Sequence, residues 1–207
     1  MLPKLYYISQ GDTYEEQLFN VCNALNNGIK LIQLRVKNLP QNEIESLAFE
    51  CKTLCTEFGV PFIINDYIDI ALKVNADGIH LGLEDESVEK ARIILGDKII
   101  GGTANTFADI LKRIKEGCDY IGLGPFTHTI TKNKLSPILG LKGYKEIISQ
   151  LIDAKQNIRI YAIGGITEKD IEIIINTGVY GVAVSGMLTQ QPEMKQSINR
   201  INEILNG

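Results

Sequence analysis

The sequence has 207 residues and a mass of 23.0 kDa, enough for one domain that buries roughly 70% of its unfolded surface. Its 21 Lys and Arg residues nearly balance 25 Asp and Glu residues, and the pI is about 5.3. This balance argues against nucleic acid or a membrane as a partner, because both favour a basic surface. Four cysteines without a CxxC pair predict reduced, packed thiols. Because neither a signal peptide nor a membrane helix is recognisable, we expect a cytoplasmic protein.

In chain order, strand-like segments alternate with helix-like ones. Strands are predicted at residues 4–9, 31–36, 61–66, 78–82, 99–104, 120–125, 159–165 and 181–186. Amphipathic helical patterns lie between them, for example at 14–28, 42–59 and 106–117. The strands are apolar on both faces, which is typical of a parallel sheet covered by helices. We therefore predict an α/β fold in which residues 1–207 form a single (β/α)8 TIM-barrel domain. A doubly wound open sheet is the alternative, although no Gly-x-Gly-x-x-Gly follows the first strand.

The second predicted strand carries three polar residues spaced two apart, Gln33, Arg35 and Lys37. Side chains alternate along a strand, so these three share one face and Leu34 and Val36 share the other. The polar face points into the barrel, where two cations are costly unless an anion meets them. We expect a bound anion, and neutralisation by carboxylates of the barrel itself is the alternative.

Carboxylates follow the next two strands, as Asn65-Asp66 after the third and Glu84-Asp85 after the fourth. They are either salt-bridge partners of the cations or ligands of Mg2+, which takes few protein carboxylates and completes its shell with phosphate and water. The sequence pattern does not separate these two interpretations.

Glycines and hydroxyls follow the later strands. Gly164-Gly165 ends strand seven, and Ser185-Gly186 ends strand eight. In such barrels this region is a recurring phosphate site, since backbone N–H groups approach an anion closely there. The loop after strand six contains a Thr-x-Thr-Lys segment at 129–132. Together, the strand ends predict a substrate set with more than one phosphate group, and no nucleophilic triad is visible.

Six motifs occur in an order that resembles the thiamine-phosphate synthase (thiamine-phosphate pyrophosphorylase) family. They are QLRVK at 33–37, IND at 64–66, DGIHLG at 77–82 followed by Glu84-Asp85, GLGP at 122–125 leading to TITK at 129–132, AIGGI at 162–166 and GVAVS at 181–185. The match runs from the first strand to the eighth, nearly the whole chain.

The resemblance implies a transferase of thiamine biosynthesis. Its substrates would be 4-amino-5-hydroxymethyl-2-methylpyrimidine diphosphate and 4-methyl-5-(2-phosphoethyl)thiazole, and its products thiamine phosphate and diphosphate. The family's route ionises the C–O bond first and gives a carbocation that the thiazole nitrogen captures. That route needs no protein nucleophile, because the protein has only to neutralise the diphosphate and align two rings.

The resemblance also implies roles for individual residues. The expected contacts to the pyrimidine diphosphate are Gln33, Arg35, Lys37, Asn65, Thr103 and Lys132, of which Arg35, Lys37 and Lys132 act in catalysis. The expected Mg2+ ligands are Asp66 and Asp85, and the expected contacts to the thiazole phosphate are Thr129, Ile130, Thr131, Gly165, Val184 and Ser185. The Thr-x-Thr-Lys loop would then bridge both substrates and close over them.

Several positions depart from the family pattern. Tyr67 stands where Arg is frequent, Leu83 where Gln is frequent, and Thr103 where Ser is usual, with Asn105 following where His-Asn or His-Thr is common. Thr103 keeps a hydroxyl, so we expect function to survive. The changes at Tyr67 and Leu83 bear on the metal and diphosphate site.

Two other functions are compatible with such a barrel. A related thiazole tautomerase moves a proton and needs no Mg2+, and a ligand-binding barrel without turnover would keep only the phosphate site. The retained Lys37, Asp66, Asp85 and Thr131-Lys132 favour the synthase over both. The resemblance is also compatible with a homo-oligomer.

Overall fold

A computed structural model describes residues 1–128 and 136–207 of the chain. Within these ranges eight parallel strands close into a barrel in which each strand pairs with the next and β1 pairs with β8. The strands are β1 Leu5–Ile8, β2 Ile32–Leu34, β3 Phe62–Asn65, β4 Gly78–Leu81, β5 Ile99–Ala104, β6 Tyr120–Leu123, β7 Arg159–Ile163 and β8 Gly181–Val184. The prediction of a (β/α)8 barrel is confirmed, and the doubly wound open sheet is wrong.

Helices follow the strands and cover the outside of the barrel. Their bounds are α1 Tyr14–Asn26, α2 Gln41–Glu57, α3 Ile68–Lys73, α4 Val88–Leu95, α5 Phe107–Lys115, α6 Gly140–Asp153, α7 Ile171–Ile175, α8 Gly186–Thr189 and α9 Met194–Asn206, with a 3-10 turn at Glu168–Asp170. Thr13 and Thr106 begin α1 and α5 with reciprocal capping boxes, in which the threonine side chain accepts a backbone N–H and an acidic side chain accepts the N–H of the threonine.

Several strands end earlier than the sequence predicts, and each early end has a local cause. The strand predicted at 31–36 stops at Leu34, since the N–H of Arg35 donates to Ser9 Oγ at 3.0 Å. The strand predicted at 159–165 stops at Ile163, where Gly164 and Gly165 take positive φ angles of 92° and 68°. Arg35 and the pair Gly164-Gly165 therefore lie beyond the strands, at the mouth of the barrel, which is the end where the strands terminate.

The core has two layers divided by the strands. The inner layer fills the barrel with Tyr6, Ile8, Leu31, Ile63, Tyr120, Tyr161 and Ala183. The outer, larger layer lies between the strands and the helices and takes the alternate strand residues, such as Tyr7, Leu34 and Val184. This division follows from the two-residue alternation of side chains along each strand.

The cysteines are thiols, as the sequence predicts. Cys22, Cys51, Cys55 and Cys118 are all free, and burial raises the pKa of Cys55 and of Cys118 to about 12. Cys55 and Cys118 are therefore packing residues rather than reactive thiolates. No helix in the described ranges is long and apolar enough to cross a membrane.

Candidate active site

The three polar residues of the second strand segment become more exposed from the barrel interior towards the mouth. Leu34 and Val36 pack in the outer layer, so the alternating face that carries Gln33 points into the barrel, as predicted. Gln33 is 2% exposed, Arg35 is half-buried and Lys37 is exposed. The two cations therefore lie above the strand itself, where a ligand at the mouth can reach them.

Arg35 connects the cationic side of the mouth with the acidic side. Burial lowers the pKa of its guanidinium, and the carboxylates of Asp66 and Asp85 act in the opposite direction. Both carboxylates are therefore within electrostatic reach of Arg35. The alternative to a bound anion, neutralisation of the cations by carboxylates of the barrel, therefore holds in part for Arg35.

Asp66 occupies a turn directly after β3. Its φ angle is 68°, in the left-handed region that aspartate tolerates better than most residues other than glycine. The turn is held by its N–H, which donates to the carbonyl of His80 at 3.0 Å, and by the N–H of Tyr67, which donates to Asn65 at 2.9 Å. Burial and the charges of nearby aspartates, Asp66 among them, raise the pKa of Tyr67, so this hydroxyl stays protonated beside the acidic group.

Asp85 lies in an exposed turn after β4 and is fixed by Gly82. The N–H of Gly82 donates to Asp85 Oδ2 at 2.5 Å, and a Cβ on Gly82 would lie 2.7 Å from that same oxygen. A side chain at position 82 would therefore displace the carboxylate. Within residues 1–128 and 136–207, the Gly82 amide is the donor that reaches Asp85, which leaves Oδ1 for another ligand.

This donor set fits Mg2+ in the way a diphosphate enzyme would use it. No group of three or more His, Cys, Asp or Glu side chains that could hold a metal occurs in the described part of the chain. Mg2+ is commonly bound by one or two carboxylates and completes its octahedral shell with phosphate oxygens and water. Asp66 and Asp85 are therefore of the type and number that Mg2+ takes from a protein when phosphate oxygens and water complete its shell.

A buried chain of hydrogen bonds crosses the barrel beneath the mouth. Gln33 Nε2 donates to Tyr6 Oη at 2.9 Å, and Tyr6 Oη lies 2.8 Å from Tyr120 Oη. Tyr120 Oη in turn lies 3.1 Å from His80 Nδ1, and His80 Nε2 lies 3.0 Å from Thr103 Oγ1. The chain thus links two residues that the family resemblance assigns to the pyrimidine diphosphate, Gln33 and Thr103, from opposite sides of the interior.

With a neutral His80, one hydrogen arrangement gives both tyrosine hydroxyls and the histidine N–H an acceptor within these bonds. Burial raises the pKa of Tyr6 and of Tyr120, so both hydroxyls are protonated. Tyr6 Oη accepts from Gln33 and therefore donates to Tyr120, which donates to His80 Nδ1. His80 then carries its proton on Nε2 and donates to Thr103 Oγ1. Thr103 Oγ1 is an acceptor in this arrangement.

The glycine pair after β7 allows a close approach of the chain that leaves β6. A Cβ on Gly165 would lie 2.4 Å from the carbonyl oxygen of His128 and 2.6 Å from Thr127 Cγ2. No side chain fits there, and the positive φ of Gly165 also favours glycine. The described residues Thr127 and His128, after β6, therefore lie beside the end of β7. Residues Thr129, Ile130, Thr131 and Lys132 of the Thr-x-Thr-Lys segment lie outside the described ranges.

Both flanks of that segment are fastened to β5 by a residue that the sequence did not single out as functional. Asn105 is buried, and its Nδ2 donates to the carbonyls of Gly124 and Pro137, each at 2.9 Å. One amide therefore ties the start and the end of the long connection after β6 to the same point at the mouth.

The expected thiazole-phosphate residues of β8 differ in what they offer. Ser185 is half-buried, and its hydroxyl donates to Gln10 Oε1 at 3.1 Å. Val184 is 3% exposed and packs in the outer layer, so only its backbone is available to a ligand. Gln10, at the end of the first strand segment, was not among the predicted site residues.

The predicted site residues thus form two groups at one end of the barrel. The first contains the charged residues Arg35, Asp66 and Asp85 with the linked pair Gln33 and Thr103, and Asn65 ends β3 beside His80. The second contains Gly165 and Ser185, whose described contacts are to neighbouring loops rather than to the first group.

Comparison with known proteins gives a consistent result. A family model described as thiamine monophosphate synthase matches residues 5–188. The thiamine-phosphate synthase of Flavobacterium psychrophilum is 52% identical over 206 residues, covering 99% of this chain and 100% of that protein. A thiamine-phosphate synthase of Clostridium novyi is 36% identical over 195 residues, with 93% of each chain covered. The solved thiamine phosphate pyrophosphorylase of Pyrococcus furiosus superposes with a TM-score of 0.85 at 30% identity, covering 99% of this chain and 97% of that one.

Proposed function

The chain belongs to the thiamine monophosphate synthase family, and we propose that it condenses 4-amino-5-hydroxymethyl-2-methylpyrimidine diphosphate with 4-methyl-5-(2-phosphoethyl)thiazole. The match over residues 5–188 is the observation that carries this proposal. The products are thiamine phosphate and diphosphate, so the enzyme is a transferase.

We infer a dissociative substitution at the mouth of the barrel. The C–O bond between the pyrimidine methylene and the diphosphate breaks, and its electron pair leaves with the diphosphate. The thiazole nitrogen then supplies the pair for the new C–N bond. Neither step needs a protein nucleophile, and the main requirements are charge neutralisation and alignment of the two rings.

The charged group at the mouth suits the leaving diphosphate. Arg35 and Lys37 stand above the strand, with one half-buried and the other exposed, and they would neutralise phosphate oxygens as the negative charge develops. Lys132 is assigned to the same task. Gln33, Asn65 and Thr103 would orient the pyrimidine half, and Gln33 and Thr103 stand at the two ends of the buried series of hydrogen bonds.

Asp66 and Asp85 are the residues that would hold Mg2+. When bound, Mg2+ would supply positive charge that stabilises the leaving diphosphate. The protein's own contribution is to present two carboxylates next to Arg35 and to fix one of them through Gly82. The cationic side chain keeps the two carboxylates from repelling each other before the metal and its diphosphate arrive.

The thiazole phosphate would bind at the second group. Backbone N–H groups around Gly165 and Val184, the hydroxyl of Ser185 and the segment Thr129–Thr131 are assigned to it. The support is that Gly165 lies against Thr127 and His128, the described residues that precede that segment in the sequence. We further propose that residues 1–207 form one barrel domain and that the enzyme forms a homo-oligomer. We also propose that the enzyme works in the cytoplasm, where its free thiols would stay reduced.

The test is to mix the purified protein with both substrates and Mg2+ and to quantify thiamine phosphate and diphosphate. We expect the two products in equal amounts, and none after addition of a chelator. Turnover of the thiazole alone that persists with chelator would identify the tautomerase instead. Folded protein that binds the phosphates without any turnover would identify the binding barrel.

A further inference from the structure

Arg113 is a buried cation that none of the roles above uses. It lies on α5 and is 4% exposed, although the preceding residue, Lys112, is largely exposed. Its Nη1 donates to Glu116 Oε2 at 2.8 Å, which supplies the balancing charge. The remaining donors reach backbone carbonyls, Nη2 to Gly82 at 2.6 Å and Nε to Thr103 at 3.3 Å.

These two carbonyls belong to residues of the candidate site. Gly82 is the residue whose N–H holds Asp85 Oδ2, so one peptide unit on each side of Gly82 connects Arg113 to a metal carboxylate. Thr103 is the end of the buried hydrogen-bond chain. The guanidinium therefore bridges the turn after β4 to the end of β5.

A glycine on β5, Gly102, leaves space for the side chain of Arg113. A Cβ on Gly102 would lie 2.9 Å from Arg113 Cδ and 3.1 Å from its Nε, so glycine at this position of β5 makes room for the guanidinium. A planar guanidinium spreads its donors over three nitrogens and so reaches two carbonyls and a carboxylate that lie apart, whereas an ammonium group donates from a single nitrogen.

We propose that Arg113 is a positioning residue for the Mg2+ carboxylate Asp85 and for Thr103. By fixing the Gly82 peptide, it holds Asp85 in the orientation that receives the Mg2+-bound diphosphate. This inference rests on the proposed function for the identity of the ligand. Residues that orient metal ligands from behind typically contribute about 10-fold to 100-fold in metal affinity or activity.

The chain provides a matched control at the other end of the barrel. Arg92 on α4 donates to the carbonyls of Gly96 and Lys98, both at 2.7 Å, and to Asp119 Oδ2 at 2.8 Å. These partners precede β5 and β6, so Arg92 makes the same type of backbone bridge at the opposite end of the barrel from the mouth. Either substitution should lower the stability of the fold, but only Arg113→Ala should also disturb the metal site.

The experiment is a calorimetric titration of inorganic diphosphate with and without Mg2+ into the parent, Arg113→Ala and Arg92→Ala, with urea unfolding of each. We expect Arg113→Ala to weaken Mg2+-dependent binding about 10-fold. Binding without Mg2+ should change little, and Arg92→Ala should bind as the parent does. Equal weakening with and without Mg2+, or parent-like binding by Arg113→Ala, would overturn the proposal.

A second variant covers the case in which Arg113→Ala does not fold. Arg113→Lys keeps a cation beside Glu116 but cannot reach both carbonyls, and we expect it to fold and to show the same Mg2+-specific loss. Parent-like Mg2+ dependence in this variant would refute the positioning role. Because diphosphate binding needs no turnover, this result is independent of whether the condensation assay succeeds.

Discussion

At the base of the barrel, where the strands begin, tyrosine and arginine side chains contact other parts of the polypeptide. Nearer the mouth, side chains of the same types form hydrogen bonds that lead to residues assigned to substrate binding. Tyr161 Oη donates to the carbonyl of Pro3 at 2.7 Å, and Tyr180 donates to the carbonyl of Leu2. Arg159 lies over the ring of Tyr180, 5.5 Å from its centroid. These contacts close the barrel around the first residues of the chain.

The barrel interior beneath the mouth uses the same side-chain types with different partners. Tyr120 belongs to the same aromatic cluster as Tyr161, with ring centroids 5.4 Å apart, but its hydroxyl serves the chain from Gln33 to Thr103. The comparison teaches that residue type does not separate structural from functional positions in this barrel. Structural and functional positions are separated by where along the barrel the hydrogen-bond partner of a side chain lies.

The largest expected effect comes from removing a mouth carboxylate and comparing it with one at the base. Asp85→Asn should lower kcat about 100-fold, equivalent to about 2.7 kcal/mol, since a metal ligand that neutralises the leaving group is lost. Asp119→Asn removes a carboxylate at the base of the barrel, which accepts a hydrogen bond from the N–H of Ile100 at 2.8 Å. This substitution should lower the stability of the fold and leave kcat unchanged. Steady-state rates and urea unfolding of both variants measure this contrast, and a similar kcat for both would break it.

A somewhat smaller effect is expected from the cations. Arg35→Ala should weaken binding of the pyrimidine diphosphate about 30-fold, because a charge-assisted contact of about 2 kcal/mol is removed. Arg159→Ala, at the base, should leave that affinity unchanged. Equilibrium titration with the thiazole omitted gives both values. Equal affinity of Arg35→Ala and the parent would mean that Arg35 only neutralises Asp66 and Asp85.

The pair Tyr120→Phe and Tyr161→Phe sharpens the comparison within one aromatic cluster. Each variant loses one buried or partly buried hydroxyl, so each should be destabilised by about 1–3 kcal/mol. Tyr120→Phe should also lower kcat/KM about 5-fold, since His80 and Thr103 lose the donor that orients them. Thermal unfolding and kinetics on both proteins separate the two effects. A kcat/KM for Tyr120→Phe equal to that of Tyr161→Phe would reduce the buried chain to a stabilising role.

The smallest effect is expected from the ion pair between Arg200 and Glu168, whose hydrogen bonds within the described ranges reach no assigned site residue. Arg200 donates to Glu168 Oε1 at 2.6 Å, and this hydrogen bond lowers the pKa of Glu168 below its usual 4.5. A lowered pKa stabilises the folded state above pH 4.5, and the gain is lost as the pH falls through the folded-state pKa. Glu168→Gln should therefore be slightly less stable than the parent at pH 7 and equal to it at low pH, with unchanged activity. Urea midpoints across this range check the sign, and a difference that grows on acidification would contradict it.

Much of the architecture could be predicted from the alternation of segments and from the two-residue spacing of Gln33, Arg35 and Lys37. These signals are local, and they survive because an inward face and an outward face differ in polarity along each strand. The hydrogen-bond partners could not be predicted in the same way. Tyr6 and Tyr120 are 114 residues apart, and their contact depends on the closure of the barrel.

Arg113 shows the limit most clearly. In the sequence it stands between Lys112 and Ile114 in an amphipathic pattern, and nothing distinguishes it from a solvated lysine on the same helix. Its burial follows from the glycine at position 102 on the neighbouring strand and from two carbonyls at the mouth. Such a position is defined by backbone groups, which leave no trace in the pattern of side chains.

The most direct test of the account is to count bound metal at the mouth. Electron paramagnetic resonance can follow free Mn2+, used in place of Mg2+, in the presence of the pyrimidine diphosphate and without the thiazole. The account predicts Mn2+ bound by the parent and by Asp119→Asn, and its loss in Asp66→Asn and in Asp85→Asn. Mn2+ bound with parent affinity by both mouth variants would contradict the claim that these two carboxylates hold the metal.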